Sequence, residues 1–177
     1  MTGSDDVVVR ALCPADLPAL ERMEIELFGA AAWSPESLAA EIGGPGRWYV
    51  GAAVDGELVG YAGLWFDGFD AQIMTIGTDE RFQGRGLGRR MLENLLDRAR
   101  TLGAAVVLLE VRVDNDPAIY LYESVGFERL GMRRAYYQPG NIDAWTMRLD
   151  LRGAGSQHDE GRGHRGRRAA ARRTGEL

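Results

Sequence analysis

The chain has 177 residues, 45% of them hydrophobic, enough for one domain with a full core and short of two. All 21 basic residues are arginine, which excludes P-loop nucleotide binding, Schiff-base chemistry and pyridoxal enzymes, each of which places a lysine at the reaction. The net charge of −5 averages two populations: residues 1–152 hold 15 Arg against 23 acidic residues, and residues 153–177 hold 6 Arg against 3, so the body favours cationic partners over nucleic acid.

Residues 1–6 lack the basic and apolar regions of a signal peptide, and no run of about eighteen apolar residues occurs. A flexible N-terminus on a cytoplasmic protein without membrane contact is expected. Residues 7–10 are a β-branched run and read as a strand. Cys13, the only cysteine, can form no intrachain disulfide and is expected to be a small buried side chain. Beyond Pro14 and Asp16, the apolar residues Leu17, Leu20, Met23, Ile25 and Leu27 read as a helix. Ser34 before Pro35 places a capping serine ahead of a proline at the first helical position; Leu38 and Ile42 follow, and Gly43-Gly44-Pro45 stops this second helix.

Residues 48–54 and 58–66 flank Asp55-Gly56, the dipeptide most typical of a two-residue hairpin turn, and are expected as antiparallel neighbours. Another strand covers residues 72–78. The clearest helix begins at the glycine cluster of residues 83–88, carries Leu87, Met91, Leu92, Leu95, Leu96 and Ala99 at spacings of three and four, and closes at Gly103. Residues 106–113 are nearly continuous Val and Leu apart from Glu110 and Arg112, the composition of a strand buried on both faces. Asp116-Pro117 starts a helix through Tyr122 that ends at Gly126. Residues 128–134 and 145–149 read as two further strands, separated by the turn residues 138–141.

From Gly153 onward the only large apolar residue is Leu177, so residues 153–177 cannot bury enough surface to offset their ordering entropy, and disorder is expected. Such an Arg-rich stretch is usually only solvated; its functional reading is contact with RNA. Both histidines, His158 and His164, lie there. A Ser-His-Asp triad and a His/Cys zinc site are therefore out of reach of the body, and no metal is expected. Acid-base work falls to Asp, Glu, Tyr or Cys13.

A strand, a glycine-rich turn and a helix start present backbone N–H groups at the positive end of a helix, a ready anion site. The G-x-G-x-G of Gly84, Gly86 and Gly88 is near the dinucleotide fingerprint, but that fingerprint needs an N-terminal βα unit, and this loop is mid-chain behind hairpin strands. A purely structural tight turn is the other alternative. Gln83-Gly84-Arg85-Gly86-Leu87-Gly88 resembles the coenzyme A motif of the GNAT superfamily of N-acetyltransferases, Q/R-x-x-G-x-G/A. The resemblance extends to Ala32-Trp33-Ser34, Leu109-Glu110-Val111-Arg112, Asn115, residues 121–127, residues 133–137 and Asp143-Ala144, which look like the RimI subfamily of ribosomal-protein N-terminal acetyltransferases. It covers residues 7–149.

This resemblance implies a mixed α/β domain over residues 7–152: a GNAT fold, with a central, mostly antiparallel sheet splayed at the cofactor site and flanked by helices. It implies acetyl-CoA as cosubstrate, with the backbone of Gln83, Gly84, Arg85, Gly86, Leu87 and Gly88 on its pyrophosphate and Asn115 in contact with it. Backbone N–H groups around Ile76, Gly77 and Thr78 would hold the acetyl carbonyl. Thr78 stands where valine is common in the family, and Glu80 where proline is.

Acetyl transfer to an amine needs a base for the amine and a proton for the departing thiolate. Glu110 alternates in phase with Val106 and Leu108, which points it to an apolar face where desolvation favours a useful base; it resembles the family's catalytic glutamate. Its structural alternative is a salt bridge to Arg112. Tyr122 stands where the family carries the tyrosine proposed to protonate the thiolate, the alternative being packing of its helix onto the sheet. Tyr120 lies on a different helical face and is not equivalent. Asn115 is equally a helix-start residue.

The substrate implied is the N-terminal α-amine of a protein, a small-subunit ribosomal protein beginning with alanine. Trp33 and the pair Tyr136-Tyr137 resemble the peptide-gripping walls, with ordinary rim packing as their alternative. An α-amine, with its pKa near 7.7–8.0 against about 10.4 for lysine, also suits a modest base. Acetylation of a small amine, a noncatalytic acyl-CoA sensor and a ribosome- or RNA-binding role through the tail are the competing functions.

Overall fold

The computed structural model describes residues 6–153. The flexible start expected for residues 1–6 and the disordered or RNA-contacting tail expected for residues 153–177 therefore fall, apart from Asp6 and Gly153, outside the described residues. Those described form one seven-stranded sheet in the order β1-β2-β3-β4-β5-β7-β6. The strands are β1 Val7–Ala11, β2 Arg47–Val54, β3 Glu57–Phe66, β4 Ala71–Thr78, β5 Val106–Arg112, β6 Glu128–Tyr137 and β7 Ile142–Asp150. The helices are α1 Leu17–Phe28, α2 Pro35–Gly43, α3 Leu87–Thr101 and α4 Asp116–Ser124. Every strand pairing is antiparallel except β4 with β5.

The local signals are realised where their physical causes act. Asp55 and Gly56 have φ of 50° and 84°, the two positive values that a tight hairpin turn requires. Ser34 accepts from the Ser37 N–H and caps α2, with Pro35 at its first position. α3 buries Leu87, Met91, Leu92, Leu95, Leu96 and Ala99, each leucine contributing about 2 kcal/mol of apolar burial. It ends as the Gly103 N–H donates to Arg100 O and the Ala104 N–H to Ala99 O, both at 3.0 Å, the paired bonds of a glycine-terminated helix.

The larger core cluster packs α3 and α4 against β2–β5, and a smaller one packs Leu20, Met23 and Leu27 of α1 and Leu38 of α2 against Tyr61 of β3. The sheet is thus covered on both faces.

Three details differ from the sequence expectation. Cys13 is exposed. It sits between β1 and a 3-10 turn at Pro14–Asp16, where its N–H donates to Asp16 Oδ2 at 2.9 Å, so its place is set by the turn rather than by packing. In α1, Ile25 is 66% exposed and Glu24 is fully buried, because position 24, not 25, lies four residues from Leu20 and three from Leu27 on the core-facing stripe. β6 and β7 are both longer than expected, and β6 is exposed along most of its length, since it is an edge strand that only β7 pairs.

Candidate active site

β4 and β5 pair only at Ala71↔Val107 and Gln72↔Leu108. Beyond these two positions the strands diverge, leaving a gap lined by residues 73–78 of β4 and 109–112 of β5. Backbone groups alternate in direction along a strand, so the ladders on the outer sides decide which groups face the gap. The Asp79 N–H donates to Val59 O, and the Val113 N–H to Asp143 O. By alternation, Ile76 and Thr78 present their backbone N–H groups to the gap, Gly77 turns its own toward Tyr61 of β3, and Glu110 presents its backbone from β5.

At the upper end of β4, Gln83 Nε2 donates to Thr78 O at 3.2 Å and ties the glycine loop to the strand. The Thr78 hydroxyl, where an aliphatic side chain would carry no polar atom, is buried without a hydrogen-bond partner. Gly84 and Gly86 have φ of +73° and +78°, and a Cβ at either would meet open space. Gly86 caps α3, whose first helical bond runs from the Arg90 N–H to Gly86 O at 3.1 Å. The N–H groups of Leu87, Gly88 and Arg89 therefore precede the helical ladder and point out of its positive end. The Arg85 guanidinium lies over the Phe82 ring at 4.9 Å from its centroid. Asn115 caps α4, its Oδ1 accepting from the Ala118 N–H at 3.2 Å, so its helix-start role is realised.

Glu110 is 2% exposed and extends from the face of β5 opposite to Leu109 and Val111, which lie in the α3–α4 cluster. Gln72 Nε2 donates to its Oε2 at 3.0 Å, and Arg133 Nη1 approaches its Oε1 at 3.5 Å. Arg133, which sequence spacing could not reveal, is an ion-pair partner of Glu110; Arg112 makes a two-pronged pair with Asp114. Tyr137 Oη donates to Glu110 O at 3.0 Å and packs edge-to-face on Tyr136, and Arg133 lies over the Tyr136 ring.

Tyr122, on α4, is fully buried while Tyr120 is 74% exposed, the facial separation expected of residues two apart on a helix. Its hydroxyl has no hydrogen-bond partner. Burial, and then the neighbouring Tyr137 phenol, pushes its pKa well above the ordinary tyrosine value, so it keeps its proton at any physiological pH.

The opposite wall is built by α1 and the segment after it. Glu24 accepts from the Trp33 N–H at 2.8 Å and from the Tyr61 hydroxyl, which fixes the half-buried Trp33. A Cβ on Gly77 would stand 2.8 Å from Leu27 Cδ1 and 3.5 Å from the Tyr61 ring, so this wall presses on β4 where only glycine fits without displacement. Glu24→Leu removes the acceptor from two donors in a fully buried place. It is expected to lower unfolding free energy by about 2–4 kcal/mol, and an unchanged denaturant midpoint would contradict that.

Among the described residues, no helix is long and apolar enough to cross a membrane, and no group of three His, Cys, Asp or Glu is placed to hold a metal ion.

A sequence profile of the Acetyltransferase (GNAT) family matches residues 17–127. Over 152 residues, 83% of this chain and 94% of the relative, the chain is 47% identical to the N-alpha-acetyltransferase RimI of Mycobacterium tuberculosis. It is 35% identical to the ribosomal protein bS18-alanine N-acetyltransferase of Salmonella typhimurium, over 81% of this chain and 97% of that one. The crystal structure of the ribosomal-protein-S18-alanine N-acetyltransferase from Escherichia coli superposes with a TM-score of 0.75 at 32% identity, covering 87% of this chain and 97% of that chain.

Proposed function

The chain belongs to the GNAT family of acetyltransferases, and from that premise we propose that residues 7–152 transfer the acetyl group of acetyl-CoA to the α-amine at a protein N-terminus in the cytoplasm. The substrate within that class is the basic, alanine-first N-terminus of a small-subunit ribosomal protein. What supports the reading most is the opened sheet, whose strand β5 carries the buried carboxylate of Glu110 beside the gap, with the buried, unpartnered Tyr122 phenol in the core cluster that packs α4 on the sheet.

Acetyl-CoA supplies an acetyl group already activated as a thioester. The residues of this chain bind, orient and move protons. The N–H groups at the start of α3, with Gln83, Gly84, Arg85, Gly86, Leu87 and Gly88 around them, suit a pyrophosphate, and the open space beside Gly84 and Gly86 leaves room for one. The gap-facing N–H groups of Ile76 and Thr78 suit a carbonyl oxygen that gains negative charge during transfer, while Gly77 leaves space for the α1 wall. Asn115 contributes by fixing the start of α4, and thereby Tyr122.

Glu110 takes the amine proton. At pH 7 roughly a tenth of α-amines are already neutral, against under a thousandth of lysine side chains, so a carboxylate base suffices for the former. Tyr122 holds a proton at Oη. Because burial pushes its pKa above the ordinary value of about 10, outright donation to a thiolate of pKa about 8.5 is uphill. Its contribution is a hydrogen bond to the sulfur as charge develops there. Trp33 and the Tyr136-Tyr137 pair form the two sides of the peptide's approach.

Gly86→Val places a β-branched residue at φ +78°, strained there by about 1–3 kcal/mol, and puts a side chain into the open space beside the loop. The KM for acetyl-CoA is expected to rise about tenfold, which is about 1.4 kcal/mol of lost binding, in a protein that still folds. Unchanged cofactor affinity in the folded variant would contradict the assignment of this loop.

Residues 1–152 carry a net −8, which favours approach of an arginine-rich peptide. Such steering weakens as salt shortens the screening length from about 10 Å at 0.1 M to about 3 Å at 1 M. Initial rates on matched alanine-first peptides, basic and acidic, at both salt concentrations test the substrate class. Basic peptides are expected to win at low salt, with the advantage falling at high salt. Equal rates on acidic peptides at low salt would overturn it.

A further inference from the structure

We propose that Gln72 is a positioning residue for the acetyl-transfer reaction, holding one oxygen of Glu110 so that the other meets the incoming amine. This rests on the assignment of Glu110 as the base.

Gln72 is the last residue of β4 that still pairs with β5, opposite Leu108, and on its other side it pairs with Trp65 of β3. Its backbone is therefore fixed from both sides at the apex of the gap, one residue before the strands separate. Its side chain is 5% exposed and lies among β4 residues that are all buried. The amide reaches across the apex to Glu110 Oε2 at 3.0 Å.

The two oxygens of Glu110 are thus held unequally. Oε2 accepts from a buried, neutral amide whose backbone is locked in the sheet. Oε1 faces Arg133, a 52% exposed side chain on the edge strand β6, at the longer distance of 3.5 Å. An exposed guanidinium on a flexible stem can swing aside or share its oxygen with an amine; a buried glutamine at the apex cannot. The geometry therefore makes Oε2 the anchored oxygen and Oε1 the one whose arginine partner can yield to the substrate.

The donor's neutrality matters as well. A neutral amide orients the carboxylate without adding a further charge to the one that Arg133 already brings. A carboxylate left to rotate would spend part of its time out of line, and misplacement of a catalytic group by about 1 Å can cost on the order of a hundredfold in rate.

The test uses the full chain and Gln72→Met, which keeps length and apolar volume but removes the donor, with Gln72→Leu as a second variant. Thermal unfolding confirms that each is folded. In both, kcat for acetylation of an alanine-first peptide is expected to fall about tenfold or more, with KM for acetyl-CoA and for peptide within about twofold. The deciding readout is a double-mutant cycle with Glu110→Gln. If Gln72 acts through Glu110, Gln72→Met has no further effect on the residual rate of the Glu110→Gln enzyme. An equal fold-loss in both backgrounds, or a wild-type rate in folded Gln72→Met, would overturn the proposal. A wild-type rate in Glu110→Gln alone would instead remove the base assignment on which it stands.

Discussion

Glu110→Gln is expected to lower kcat for peptide acetylation about 10²–10⁴-fold near neutral pH, the range that general-base catalysis contributes. Glutamine matches the shape of the side chain and can still accept from Gln72 Nε2, so the core around β5 keeps its packing. Arg133, half exposed, loses only a long ion pair at 3.5 Å and can turn its guanidinium to solvent. The loss therefore reports the proton acceptor and not the fold. It depends on pH in a definite direction. Below about pH 7.7 most α-amines carry a proton that the variant cannot remove; above about pH 8 most arrive neutral, and the gap to wild type narrows. Steady-state rates between pH 6 and 9 on one peptide check this, together with an unfolding curve. A wild-type rate at pH 6.5 would remove Glu110 from the reaction, and a deficit that does not shrink with rising pH would show that its role is not proton removal.

Tyr122→Phe is expected to split activity from stability with opposite signs. The hydroxyl is fully buried and has no hydrogen-bond partner, an arrangement that costs a fold about 1–3 kcal/mol relative to a site without the polar atom. Phenylalanine keeps the edge-to-face packing on Phe127, 5.7 Å between centroids. The variant should thus unfold at the same temperature or a higher one. Its transfer rate should fall about 10²–10³-fold, as when one preorganised donor to developing charge is removed, while acetyl-CoA affinity stays near wild type. A tyrosine that merely packs α4 onto the sheet would give an unchanged rate. One that stabilises the fold through its hydroxyl would give a lower melting temperature, and either outcome contradicts the assignment.

What sequence can and cannot reveal about such a site follows from the range of each interaction. α3 and the Asp55-Gly56 hairpin are written in local periodicity and turn chemistry, and the separation of Tyr120 from Tyr122 follows from helical geometry. Glu24 obeys the same rule, since positions 20, 24 and 27 share a helical face, but its charge masks a core position that the apolar Ile25 beside it claims by residue type alone. Residue type predicts burial for Cys13, and a local turn overrides it. Gln72 left only a weak trace, a lone amide in a strand of apolar and small residues. Arg133 left none, because its meeting with Glu110 depends on β7 being inserted between β5 and β6. The gap itself has no local signature: β4 and β5 both read as ordinary buried strands, and only the two-position register between them shows where pairing stops.

Acetylation of protein N-terminal α-amines is tested by incubating the full chain with acetyl-CoA and a peptide that begins with a free alanine and carries internal lysines, then locating the modification by tandem mass spectrometry. One acetyl group is expected on the α-amine, none on the lysines, and no reaction when the N-terminus is chemically blocked. Acetylation of the lysines, or turnover of small amines with no modification of the peptide, would contradict it.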